Sequence, residues 1–134
     1  MKHTANGLFD ILLAPQPLSA VAEDTGLGRL SLDKRFDGDL RAVSQGEMLS
    51  FRSGVQGSAG YVAMETVRGA LHGRSGSFVL QHSSTMERGT PTQSITVVPD
   101  SGTDGLAGIS GRMVIAIAEG GAHSYRFAYE LPQA

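Results

Sequence analysis

Three side chains that exchange protons stand at positions where a strand should be apolar. Lys34, in the segment RLSLDKRFDGDL (29–40), falls in line with Leu30, Leu32, Phe36 and Leu40 at the two-residue period of a β-strand. That alignment puts an ammonium on the core face. Glu65 keeps step with Tyr61, Ala63 and Val67, and His82 with Phe78 and Leu80. A lysine and a glutamate withdrawn from water must pair, or shift pKa and lose charge. A histidine facing the glutamate would be held in one tautomer, as a general acid or base requires. In HSYRFAYEL (123–131), His123, Tyr125, Phe127, Tyr129 and Leu131 alternate with outward Ser124, Arg126 and Glu130, so aromatic rings line one inner wall. The candidate ligand-binding set is therefore Lys34, Tyr61, Glu65, His82, Tyr125, Phe127 and Tyr129. Glu65, His82 and Tyr125 are the candidates for catalysis. The same residues also fit a satisfied internal network that only fills a barrel.

Other chemistries find little support. His3, His72, His82 and His123 show no H-x-H or H-E-x-x-H spacing, and there is no cysteine, so no metal or other cofactor is expected. GRSGS and GISGR are not G-x-S-x-G and precede no helix, which makes them turns and not nucleophile elbows. GLGRLS lacks the lysine of a phosphate loop. A net charge of -2, from 11 basic and 13 acidic residues spread along the chain, offers no stripe for nucleic acid or anionic lipid. The start, MKHTANGLFDILLAP, has no long apolar signal core, and a cytoplasmic location is the expectation.

The elements that must position these residues are strands. Eighteen glycines among many serines and threonines, with short apolar runs at period 2, predict an all-β domain over residues 1–134. Strands are expected at 4–13, 28–41, 44–53, 59–71, 75–87, 92–99, 110–119 and 122–131, with 15–27 as the one long irregular link. LHGRSGSF (71–78) and LAGISGRM (106–113) share L-x-G-x-S-G-x-[Phe/Met], and LRAVSQGEM (40–48) repeats it with one insertion. All three read as hairpin turns. With Gly73 and Arg74 as the loop, Leu71 would oppose Gly76, Gly69 would oppose Phe78, and Glu65 would oppose His82. Glu65 and Lys34 each precede a turn leucine by six residues, which sets them at similar depth. Short links throughout make an antiparallel meander, and eight strands close into an up-and-down barrel without free edges. The strand at 110–119 is apolar on both faces, since Val114, Ala116 and Ala118 alternate with Met113, Ile115 and Ile117. Its outer row predicts a dimer or trimer.

FDGDLRAVSQGEML, GSAGYVAMETVRGALHGRSGSFVLQHSSTMERG, VVPDSGTDGLAGISGRM and HSYRFAYELP resemble the signature blocks of a bacterial family of uncharacterised proteins, a domain of unknown function. The resemblance spans Met1 to Leu131. It implies an allene oxide cyclase-like, or dirigent-like, barrel and carries no assigned activity. Three functions remain in play: a module that binds a small, partly apolar molecule in its interior, an isomerase or cyclase using Glu65, His82 and a tyrosine, and an assembly protein whose barrel is merely filled.

Overall fold

The computed structural model describes residues 2–132. Eight strands, β1 (Lys2–Gln16), β2 (Gly28–Phe36), β3 (Leu40–Arg52), β4 (Ala59–Leu71), β5 (Arg74–Glu87), β6 (Thr90–Val97), β7 (Ser110–Ile117) and β8 (His123–Glu130), follow one another around a closed antiparallel barrel. β1 pairs with both β2 and β8, and so closes the ring. The irregular link after β1 contains only a 3-10 turn at Ala20–Ala22. Among the described residues no helix is long and apolar enough to cross a membrane.

The alternation that marks each strand is what buries it. Leu32, Lys34 and Phe36 point inward from β2, and Ala63, Glu65, Val67 and Leu71 from β4. Two turns differ from the sequence reading. The chain reverses at Asp37–Gly38–Asp39, with Gly38 at φ 98, and LRAVSQGEM runs straight inside β3. Ala42 stands there in place of a turn glycine, so nothing favours a left-handed residue and the strand continues. LAGISGRM likewise runs from the end of the long β6–β7 link, where Gly108 has φ 78, into β7, and is not a hairpin.

The second difference is one of register. The β4–β5 loop is His72–Gly73, with φ 46 and 80, the geometry of a two-residue turn whose twist matches its strands. Leu71 therefore opposes Arg74, Gly69 opposes Gly76, and Val67 opposes Phe78. A shift of two residues preserves every inward face but changes every partner.

The two ends of the barrel are unlike. At one end lie the turns at 37–39 and 72–73 and the long link 98–109, which folds over the opening and buries Leu106 and Ile109. Gly76 permits this approach, because a Cβ there would stand 2.3 Å from the Thr103 carbonyl oxygen. Beneath the link, Phe36, Leu40, Leu71, Phe78, Leu80, Met113 and Phe127 form the fully buried core. At the other end the inward rows emerge into solvent: Leu13 is 50% exposed, Met86 43% and Ile117 67%.

Candidate functional site

Four consecutive strands each send one polar side chain into the barrel above the apolar core. They are Lys34 on β2, Ser44 on β3, Glu65 on β4 and His82 on β5, and all four are at least 96% buried. In register, Lys34 faces Ser44, Ser44 faces Val67, and Ala63 faces His82. Glu65 thus faces Leu80 and meets Ser44 and His82 on diagonals, not His82 directly as the sequence suggested. Gly46, the residue of β3 opposite Glu65, lets the two strands close up. A Cβ there would fall 2.7 Å from Glu65 Cα and 2.0 Å from the Met64 oxygen.

Glu65 is the hub. Lys34 Nζ donates to its Oε2 at 2.8 Å, His82 Nε2 to the same oxygen at 2.5 Å, and Ser44 Oγ to Oε1 at 2.8 Å. Lys34 Nζ also stands over the Phe9 and Phe36 rings, 5.2 and 5.8 Å from their centroids. Burial pushes the Glu65 pKa up. The hydrogen bond from His82 and the Lys34 charge outweigh it and bring the carboxyl down from 4.5 to about 2. At neutral pH Glu65 is therefore an anion and accepts every one of these bonds. His82 must carry its proton on Nε2, which leaves Nδ1 as a lone-pair acceptor in the neutral ring. No hydrogen bond to Nδ1 forms among the described residues.

Toward the open end stand Tyr61 and Ser84, which face each other across β4 and β5. The Tyr61 ring is half-buried, 6.3 Å from the His82 ring between centroids. Ser84 Oγ is buried without a hydrogen-bond partner. An unpaired buried hydroxyl is costly, and it lies two residues beyond His82 on the same inward row.

The seven candidate binding residues thus divide. Lys34, Glu65, His82 and Tyr61 gather near the open end. Tyr125, Phe127 and Tyr129 point inward as expected but pack in the closed half. Tyr125 Oη donates to the Asp37 oxygen at 2.7 Å and accepts the Leu40 N–H at 2.9 Å, holding the β2–β3 turn. Burial raises its pKa, so it stays a neutral phenol. Phe127 stacks between Phe78 and Tyr129, and Tyr129 bonds His72 Nδ1 and stacks on His3. Ser44, Ser84 and the rings beneath Lys34 were not singled out from sequence. Ser44 keeps parity with Leu40 and Ala42, a signal hidden when a turn is placed between them. Outside the barrel, a broad groove of about 860 Å³ runs over the wall of β3–β5, lined by Leu49, Val62, Met64 and Gln81. No three His, Asp or Glu side chains gather at metal-binding distance among the described residues.

The same architecture occurs in a crystal structure of a protein of unknown function from the DUF3224 family of Shewanella oneidensis MR-1. That protein is 46% identical to this chain and superposes with a TM-score of 0.92 over 100% of both chains. No curated protein matches the sequence. The family model described as protein of unknown function (DUF3224) matches residues 5–129. Spanning nearly the whole barrel, that match makes the chain a member of the DUF3224 family.

Proposed function

We propose that the barrel binds a small, partly apolar molecule through its open end, with the polar part of the guest directed at the Lys34–Glu65–His82 network. The observation that carries this reading is an incomplete one: Ser84 Oγ is buried without a partner, and His82 bonds through Nε2 alone, beneath a rim where Leu13, Met86 and Ile117 face inward yet stand in solvent. Apolar walls with a few convergent polar atoms are the usual make-up of a small-molecule site. The resemblance to allene oxide cyclase-type barrels, whose plant members hold a fatty-acid epoxide, agrees with it by analogy of fold. Native mass spectrometry of the protein purified from its own host is the test. A bound small molecule, lost in Ser84→Trp, is the expected result, and a chain that carries no ligand under gentle desolvation would leave only a filled barrel.

An isomerase or cyclase is favoured by one contact, the hydrogen bond from His82 Nε2 to Glu65 Oε2. A carboxylate that fixes a histidine's tautomer leaves the opposite ring nitrogen ready to take a proton from a substrate. In that scheme His82 is the base and Glu65 orients it. Tyr125 has no part, because its hydroxyl is engaged by the β2–β3 turn. Recovery of an added ligand in altered form separates enzyme from carrier.

We also infer that the barrels associate. An apolar band runs on the outer wall from Val114 and Ala116 on β7, across Ser124, to Leu8 and Leu12 on β1, and Val114, Leu8 and Leu12 are each more than half exposed. Light scattering should report a dimer or trimer, and a 14.0 kDa monomer at micromolar concentration would refute it.

A further inference from the structure

We infer that the guest's polar group is a neutral hydroxyl, as in a phenol or an alcohol, and not a carboxylate, an inference that rests on the binding role proposed above. Lys34 and Glu65 are in direct contact and cancel each other's charge. Lys34 is committed to Glu65 and held over Phe9 and Phe36, so no cation is left over for an anionic guest. A second carboxylate brought into this buried space would face Glu65, and the low dielectric magnifies that repulsion.

The unfilled polar atoms match a hydroxyl. In the neutral ring, His82 Nδ1 offers a lone pair, because Nε2–H is given to Glu65. Ser84 Oγ, buried and unpaired, offers a donor. A guest hydroxyl is at once donor and acceptor, and bonds to both without a change of protonation. The Tyr61 ring beside His82 supplies an aromatic flank for the guest's apolar body.

The matched probes p-cresol and p-toluate share a tolyl ring and differ only in the head, neutral hydroxyl against ionised carboxylate at about pH 7.5. Calorimetric titration of each, in two buffers of different ionisation enthalpy, reads affinity and proton uptake together. The cresol should bind about tenfold more tightly than the toluate, with a heat that does not depend on the buffer. His82→Phe should abolish the preference. Ser84→Ala guards against a folding failure, since it deletes an unpaired hydroxyl and should leave the unfolding midpoint unlowered. It should nonetheless weaken cresol by about tenfold and leave the toluate unaffected. Tighter binding of toluate with uptake of a proton overturns the hydroxyl assignment while the binding role stands. Unchanged cresol affinity in Ser84→Ala overturns it as well. If neither probe binds, both the assignment and the binding role fall.

Discussion

The two ends of this barrel are built from similar residues to opposite effect. In the closed half, each polar atom on an aromatic wall meets a fixed partner: Tyr125 clamps Asp37 and Leu40, and Tyr129 meets His72. In the open half the network is dense around Glu65 but stops short, leaving His82 Nδ1 and Ser84 Oγ. Inward direction alone therefore does not mark a site. What distinguishes the open half is unfinished hydrogen bonding beside solvent, whereas complete pairing marks the closed half as scaffold.

The contrast can be tested most severely at its hub. Glu65→Leu strands a buried ammonium and should cost about 3–5 kcal/mol by urea denaturation. Adding Lys34→Met to it should recover most of that loss, because an apolar pair replaces an ion pair well. A double variant no more stable than the single would mean that Lys34 is held by something other than Glu65. Acid acts on the same group. With its folded pKa depressed to about 2, Glu65 stabilises the protein fully above its ordinary 4.5, and that contribution vanishes as pH falls through the folded value. The loss between these limits is about 3 kcal/mol, and it should be missing from the acid titration of Glu65→Gln.

In the closed half the effects are smaller and purely structural. Tyr125→Phe leaves the Leu40 N–H and the Asp37 carbonyl without their partner and should cost about 1–2 kcal/mol, with p-cresol binding unchanged. A loss of binding there would erase the division between the halves. Gly73→Ala is the mildest change. Nothing lies within 4 Å of the added methyl, so the whole cost, about 1 kcal/mol, comes from the left-handed φ of 80.

The eight strands and the inward direction of Lys34, Glu65 and His82 were legible because side-chain alternation is a local property. The partners of those residues were not, because register depends on which residues form the turn. His72 adopts φ 46 where sequence favours asparagine or glycine, and so the loop was placed at Gly73–Arg74. At Asp37–Gly38–Asp39 the misreading has another cause. Phe36 and Leu40 keep the same parity through the turn, so the alternation passes across it unbroken. Depth was harder still. Nothing in HSYRFAYEL tells which end of a barrel will be covered, since the cover comes from the distant link 98–109.

The closure of the ring by β1 and β8 also governs how the molecule can be made. Ala5 faces Phe127, so the barrel's first strand finds one of its two neighbours only when the barrel's eighth strand has been made. The meander β1 to β7 can zip up by pairing strands that follow one another in sequence, while the final seam carries the far larger entropic penalty of joining remote segments. Until then β1 presents a long unpaired edge bearing Leu8 and Leu12, the kind of surface on which nascent chains stick to one another. Slow closure, and a need for protection during synthesis, are consequences of the topology itself.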